Sequence, residues 1–499
     1  MNDGQQQEKQ GNTTQAIWLG IGSFTSFGFA IISTAILSRF LPKEDYGTYR
    51  QVMYVYSTLL TVFTLGLPRA YSYFLPRVRI ETGLSLVKKL NRAFLLLGLI
   101  FSLVLFWGAE GIALVLNNPD LTTAIKIFSP SPFFLLPTMG LEGVLATYKK
   151  TQWNAIYTIL SRILMILFVA VPVVMYKQNS VTALWGFTIS SALSYICSLI
   201  FFRLPFKGTC KEKSDISYLQ ILKFSLPLMF AGFWGIAERS ADQFYVSRFF
   251  GQSVFAEFSN GCFELPFVGM ILGAGATVLL PVFSRMVANG VDKKSLLELW
   301  KRTSVKAAYI IYPMVIYCWA FSETIMTFLY GEQYENSAVY FRIMIVVNLF
   351  TIAQYAPILL ALGKTKFYAN VHLYIALATW IFEYLVVIVF EDALSVAIVS
   401  AVCRIVKIFL LMSLIAKYMG VSVYRLFPVS LLIKILVSCI ISVLMAKLIV
   451  QITPSNNIEL FALIEGLVVF CIGILLLGKL LRINYFEIIE PVLVKLKKR

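Results

Sequence analysis

IWLGIGSFTSFGFAIISTAIL, residues 17–37, is followed at once by SRFLPKEDYGTY, residues 38–49. A helix needs about 20 apolar residues to cross roughly 30 Å of hydrocarbon. The first stretch has that length and no charge. The second packs Arg39, Lys43, Glu44 and Asp45 into a short turn before the next apolar run begins. Together they read as a membrane crossing, a turn and a return.

The same alternation continues to the end of the chain. It predicts fourteen spans, at about 17–37, 49–67, 93–116, 124–146, 153–175, 181–202, 221–241, 254–283, 307–329, 338–362, 367–390, 393–415, 429–450 and 458–480. Of 499 residues, 59% are hydrophobic and 14% charged, and the mean hydropathy is +0.78. A soluble core of this size would need far more polar surface to cover it. Pro130, Pro132 and Pro137 interrupt the fourth span, and Pro266, Gly269, Gly273 and Gly275 loosen the eighth. Broken helices persist at membrane depth when they pack on protein or line a wet cavity. The first fifteen residues are polar and lack the small-residue cleavage site of a signal peptide, so targeting rests on a retained first span.

The net charge of +17 comes from basic residues dispersed in short clusters between apolar runs. No basic domain with interleaved aromatics is present, so a nucleic-acid partner is not expected. Sorting the 43 Lys and Arg residues with the N-terminus inside places 29 in cytoplasmic segments and five outside: Arg39, Lys43, Arg50, Lys177 and Arg248. Nine lie within spans. Positive charge marks the cytoplasmic side, and a miscounted span would scramble the sorting beyond the error. Both termini are therefore expected in the cytoplasm. The longest gaps, around 68–92 and 284–306, are too short for a separate catalytic domain. Six cysteines fall inside apolar runs, with Cys210 in a basic loop. Their spacing suggests neither a metal site nor a disulfide framework, and no cofactor is expected.

Ser38-Arg39-Phe40 after the first span recurs as Ser247-Arg248-Phe249 after the seventh, an offset of 209. At that offset Tyr46 matches Phe255 and Tyr49 matches Phe258. One residue out of phase, Leu75-Pro76-Arg77 meets Phe283-Ser284-Arg285. The copies lie six spans apart. Six is even, so the halves share an orientation and would be related by an axis along the membrane normal, an arrangement used by transporters. The expected organisation is a six-helix lobe at 1–215, a second at 216–416, and two accessory helices with a basic tail at 417–499.

The run Ser38-Arg39-Phe40-Leu41-Pro42-Lys43-Glu44-Asp45-Tyr46-Gly47-Thr48-Tyr49 resembles the segment linking the first two helices of bacterial polysaccharide flippases. Gly66-Leu67-Pro68-Arg69-Ala70, Ser225-Leu226-Pro227 and Asp242-Gln243-Phe244 are similar to the same family. These are exporters of the multidrug/oligosaccharidyl-lipid/polysaccharide (MOP) superfamily. The resemblance covers the layout of spans 1–12 and implies a V-shaped pair of six-helix lobes with lipid-linked oligosaccharide as cargo. Many members have twelve spans; fourteen brings this chain nearer the lipid II-type and spore-coat branches.

A charged side chain at the bilayer centre costs about 2.5–3.5 kcal/mol on insertion scales, so it faces a partner or a wet cavity. Arg162, Arg404 and Lys407 lie near mid-depth. Glu238, Arg239 and Asp242 lie toward the outer end of span seven, with Arg39, Arg50, Arg248 and Arg342 also on the outer side. Glu142, Glu264 and Glu383 fall in spans four, eight and eleven. A pyrophosphate-sugar headgroup cannot shed its hydration unaided. A cationic cleft would replace that hydration, and the Arg fork binds phosphate bidentately. The cleft candidates are Arg39, Arg50, Arg162, Arg239, Arg248 and Arg342. Glu238, Asp242 and Glu264 are candidates for ion coupling or charge balance.

Plainer readings stand beside these. Arg239 and Asp242 are spaced for an intrahelical ion pair. Arg39, Lys43, Arg50 and Arg248 lie close enough to the interface to snorkel, and Arg404 and Lys407 can face a lobe interior. Arg162 has no acidic neighbour at helical spacing. His372, the single histidine, reads as packed, and Trp18, Trp153 and Tyr334 as an interfacial belt.

The sequence therefore points to an all-α polytopic membrane protein of about 14 transmembrane helices in the bacterial cytoplasmic membrane. Its expected role is to flip an undecaprenyl-pyrophosphate-linked oligosaccharide to the outer leaflet by alternating access. Its expected partners are that lipid-linked oligosaccharide, membrane lipids, and the polymerase and glycosyltransferases of the same pathway. A drug/cation antiporter is the alternative within the superfamily. A membrane glycan polymerase or ligase is a third reading, but it lacks a large outer loop and any converging nucleophile, base and orienter.

Overall fold

A computed structural model describes residues 12–176, 179–206, 212–453 and 458–485, and among these no strand forms. Lys177 and Cys210, placed by charge and cysteine reasoning above, lie outside the described residues, as do seven of the basic residues counted as cytoplasmic: Lys9, Lys207, Lys211, Lys495, Lys497, Lys498 and Arg499. The chain divides into two compact units, Met1–Ala256 and Glu257–Arg499.

In the first unit the helices are α1 (Asn12–Phe40), α2 (Lys43–Thr64), α3 (Pro68–Phe74), α4 (Ile80–Val115), α5 (Asp120–Phe128), α6 (Ser131–Thr138), α7 (Leu141–Thr147), α8 (Thr151–Met165), α9 (Val171–Tyr176), α10 (Ser180–Arg203) and α11 (Tyr218–Gly261), whose end passes into the second unit. The second unit continues with α12 (Pro266–Ala288), α13 (Lys293–Ala320), α14 (Ser322–Tyr330), α15 (Ser337–Val346), α16 (Tyr355–Ala361), α17 (Thr365–Phe390), α18 (Ala393–Met419), α19 (Val429–Ile452) and α20 (Glu459–Leu480).

Among the described residues, eight helices are long and apolar enough to cross a membrane: α1, α4, α8 with α9, α10, α17, α18, α19 and α20. Two bent pairs bring the number to ten, one within α11 and one made of α13 and α14. The other four expected spans fall on α2, on α5 to α7, on α12, and on α15 with α16. The fourth span is broken into three short helices, with Pro130 at the N-cap of α6 and Pro132 in its first turn, while Pro137 lies inside α6. The eighth span is corrected. Instead of one run over 254–283, the stretch that follows a kink at Gly251 (φ 78°, ψ 178°) within α11 ends at Gly261, and α12 begins at Pro266, because a residue preceding proline is driven out of the helical region. Leu265 accordingly takes φ −68° and ψ 116°. Glu264 therefore sits exposed in the break rather than inside a span.

Unit 1 is organised around α10, which packs on α5, α6 and α8, while α4 packs on α6 and α1 on α8. A π-turn at Ile166–Ala170 precedes Pro172. Proline has no N–H and its ring collides with the carbonyl four residues back, here that of Phe168. The helix opens by one residue, and Gly186 of α10 closes over the freed carbonyl. A Cβ at position 186 would lie 1.8 Å from the Phe168 oxygen.

Unit 2 has its core around Phe283, Trp300, Ile358, Leu359 and Ile415. Trp300 is fully buried, and its indole N–H donates to the carbonyl of Gln354 at 3.2 Å. Gln354 Nε2 donates in turn to the Leu272 carbonyl at 2.7 Å. The first bond satisfies a backbone carbonyl at the break between α15 and α16, as buried polar groups require, and the second ties that break to α12. The hairpin of α19 and α20 packs on α13 and α14, with the Tyr317 hydroxyl donating to the Leu463 carbonyl at 2.5 Å. Tyr334 departs from the expected interfacial belt. A 3₁₀ turn at Glu332–Tyr334, entered through Gly331 at φ 98°, carries its ring fully inside beside Tyr330.

The repeat is visible in burial. Ser38 and Ser247 are both fully buried, Phe40 and Phe249 both exposed, and Tyr46, Tyr49, Phe255 and Phe258 all buried. Leu75 and Phe283 are buried too. Arg77 and Arg285 each donate to a carbonyl four residues back, those of Tyr73 and Pro281.

Candidate functional site: a polar cavity around Arg162

Two apolar helices of unit 1 turn polar faces toward each other. On α1, Leu19, Gly22, Ser23 and Ser26 follow one another at helical spacing; on α8, Asn154, Thr158, Ser161 and Arg162 do the same. With Glu142 of α7 they line a cavity of about 280 Å³. The helices meet closely beside it, since a Cβ on Gly22 would touch Ala155 at 3.5 Å. In hydrocarbon a hydroxyl must find a partner, and Ser161 satisfies this by donating to the Thr158 carbonyl at 2.9 Å.

Arg162 is the cation of the cavity. Its Nε donates to Ser26 Oγ at 2.9 Å, and Nη1 lies 3.7 Å from Met165 Sδ. Among the described residues no carboxylate comes within 4 Å of it, although Glu142 lines the same cavity. A guanidinium held away from bulk water without a counter-charge draws an anion. The chemistry available is thus recognition of an anionic group by one guanidinium, with hydroxyls and amides around it suited to hydrogen-bonding a polar, sugar-like or phosphate-bearing cargo.

The remaining sequence candidates are dispersed. Arg39 is exposed in the last turn of α1, and Arg50 is half-buried on α2. Arg239 is exposed on α11, whereas Glu238 and Asp242 beside it are buried; an Asp242 carboxylate oxygen accepts from the Gln243 N–H at 2.7 Å. Arg248 Nη1 donates to the carbonyls of Leu114 and Val115 at 2.6 and 2.8 Å, closing the C-terminal end of α4, where unpaired carbonyls carry partial negative charge. Arg342 lies in unit 2, bonded to Ser322 Oγ and Glu323 Oε1, each at 2.6 Å. Of the six arginines proposed from sequence, Arg162 is the one lining this cavity.

Sequence reasoning singled out Arg162 and Glu142 but missed Ser23, Ser26, Asn154, Thr158 and Ser161. The signal was there, as polar residues at helical spacing inside otherwise apolar spans.

On the same unit a buried polar cluster joins α2, the turn between α4 and α5, and α11. Gln51 Nε2 donates to Ser247 Oγ at 2.8 Å. Asn118 Nδ2 donates to Gln51 Oε1 at 2.5 Å and to Thr48 Oγ1 at 3.1 Å. All four residues are nearly inaccessible. Next to them Gly47 lets the backbones meet, for a Cβ there would lie 2.1 Å from the Gln252 carbonyl.

Three comparisons bear on what such a chain is. It is similar to the succinoglycan biosynthesis transport protein ExoT of Rhizobium meliloti (strain 1021), 23% identical over 334 residues, which are 64% of this chain and 62% of that protein. The match thus spans less than two thirds of that relative's length. In structure it resembles the lipid II flippase MurJ in an inward closed conformation, with a TM-score of 0.71 at 15% identity over 94% of this chain and 99% of the other. It also resembles an inward-facing multidrug resistance MATE family transporter of the MOP superfamily, with a TM-score of 0.62 at 11% identity over 81% and 98%. The fold is accordingly that of MOP superfamily transporters. The family model described as polysaccharide biosynthesis protein matches residues 36–339, more than half of the sequence, and the chain belongs to that family.

Proposed function

We propose that this multi-pass membrane protein is a flippase that carries an undecaprenyl-pyrophosphate-linked oligosaccharide from the inner to the outer leaflet of the bacterial cytoplasmic membrane, with both termini cytoplasmic. The observation that supports this most directly is Arg162, a cation with no carboxylate partner among the described residues, in a hydroxyl-rich cavity between apolar helices. In a polysaccharide biosynthesis family, the matching anion is the phosphate of a lipid-linked glycan. Lobes at 1–215 and 216–416, with accessory helices in 417–499, would expose the cavity to each side in turn by alternating access. An inside-negative potential would help, each net negative charge moved outward gaining about 2.3 kcal/mol per 100 mV. The polymerase and glycosyltransferases of the pathway would be its neighbours.

The test is transport of a fluorescent polyprenyl-pyrophosphate oligosaccharide by purified protein in proteoliposomes. A hydrogen bond to a charged group contributes about 1.5–3 kcal/mol, so Arg162→Ala is expected to weaken cargo binding roughly ten- to hundredfold at about 1.4 kcal/mol per decade. Arg162→Lys is expected to recover part of the loss, keeping charge without the fork. Unchanged binding and transport in folded Arg162→Ala would refute the assignment. Glu142 in the same cavity favours the second reading, a drug/cation antiporter. In that case Glu142→Gln, rather than Arg162→Ala, would abolish transport of a cationic dye.

A further inference from the structure

A second cavity of unit 1, about 340 Å³, has a different chemistry. It is a groove on the surface between α2, α4 and Phe244 of α11, lined by Tyr54, Val55, Leu59, Ile112 and Val115 along with two glycines of α4. Those glycines, Gly108 and Gly111, form its wall by lacking side chains. A Cβ on Gly111 would meet nothing within 4 Å, and one on Gly108 would approach no more than the tip of Ile112 of its own helix. The neighbouring face of α4 is turned outward, with Trp107 and Leu114 three-quarters exposed. The groove therefore opens toward lipid. An apolar groove gives water too few partners, so what fills it in a bilayer is hydrocarbon.

One end of the groove is charged. Val115 lines it, and the Val115 carbonyl accepts from Arg248 Nη1 at 2.8 Å. The bonds of this guanidinium both leave from Nη1. Among the described residues its Nε and Nη2 have no partner, and the side chain is half-buried at the end of α4. From Gly108 to Leu116 the helix rises about 12 Å at 1.5 Å per residue, enough for the upper part of a lipid chain. A hydrocarbon slot ending at a guanidinium with unused donors is complementary to a phosphate-bearing lipid, the headgroup at Arg248 and one chain along α4.

We infer that this groove binds an anionic phospholipid of the bilayer, at a site separate from the Arg162 cavity. Only its leaflet, the outer one, rests on the orientation proposed above; the site itself stands whether or not the protein is a flippase.

The experiment uses the full chain reconstituted in vesicles containing a phosphatidylglycerol with a photoactivatable diazirine in one acyl chain. After irradiation, crosslinks are mapped by peptide mass spectrometry. The expected adducts fall on residues 54–59 and 108–116. Gly111→Leu fills open space and is expected to reduce them at least tenfold; Arg248→Gln is expected to reduce them severalfold, with the monodispersity of both variants checked beforehand. Gly20→Leu, at another open glycine of unit 1, serves as the control and is expected to leave them unchanged. Undiminished labelling in folded Gly111→Leu would overturn the site. Equal labelling by an uncharged diazirine lipid would overturn the anionic headgroup. Displacement by stoichiometric polyprenyl pyrophosphate, but not by excess phosphatidylglycerol, would overturn the bilayer lipid as occupant.

Discussion

Gln51→Ala should loosen the contact of α2 with α11 by an amount that can be worked out from the geometry. The wild-type side chain is fully buried and makes two bonds, one to Ser247 and one from Asn118. Each is worth about 1 kcal/mol net, and leaving a buried polar partner unsatisfied costs about 1–3 kcal/mol. After truncation Asn118 keeps Thr48 as an acceptor, while Ser247 loses the amide that bonds to it. The net loss is therefore about 2 kcal/mol, or roughly thirtyfold in an equilibrium constant. All three residues lie in the first compact unit, but if the lobes divide at 215/216 as proposed, α2 and the outer part of α11 would belong to different lobes and alternating access would break this cluster in every cycle. The loss then appears as a shift toward the state in which the cluster is open. The assay is thiol labelling of Val52→Cys, a position 1% exposed next to Gln51, in a cysteine-free background with a membrane-impermeant maleimide applied from outside. Labelling should accelerate at least tenfold when Gln51→Ala is added. If the melting temperature falls while labelling stays unchanged, the cluster is static packing and the reasoning about opening is refuted.

Two further outcomes follow from local geometry. Gly186→Ala places a methyl against the Phe168 carbonyl, a backbone atom that cannot swing away. It should destabilise unit 1 by about 1–3 kcal/mol or more, read as a lower melting temperature, whereas Gly20→Ala, facing open space, should leave it unchanged. Asp292 caps α13 by accepting from the Ser295 N–H at 3.4 Å, and its carboxyl is held below the ordinary value chiefly by the Ser295 side chain, with that backbone bond adding to it. A depressed carboxylate stabilises above its unfolded pKa and loses that contribution as pH falls through the folded one. Amide exchange in the first turn of α13 should therefore be protected at neutral pH and lose protection at acid pH; Asp292→Asn, itself a good cap, should remove the dependence.

Helices were the most legible part of the sequence, because run length and the placement of Lys and Arg respond to the bilayer rather than to detailed packing. Pro130 and Pro132 announced the broken fourth span through the missing N–H and fixed φ of proline, whereas Pro137 is accommodated inside α6. Pro266 was readable as a loosening of the eighth span, but that the helix stops outright between Gly261 and Pro266 was not, since length suggested one run over 254–283. Arg162 was readable as a deep charge without an acidic neighbour. The serines facing it were not, since Ser is ordinary in membrane helices and the cavity exists only when α1 lies against α8. Arg248 shows the same limit: its partners, the carbonyls of Leu114 and Val115, are more than 130 residues away in sequence and carry no side-chain signature. Tyr334 shows that a tyrosine at a span end says nothing by itself about which way the chain turns next.

The residues lining the Arg162 cavity all come from α1, α7 and α8 of one compact unit. If the protein works by alternating access as proposed, such a cavity would keep its lining residues together, so opening to one side or the other would change who can reach it more than how tightly it holds. A small soluble phosphate mimic seated there would bind with similar strength in either state. It would act as a competitor of cargo rather than as a conformational trap, and its potency in cells would be set by which compartment it can enter.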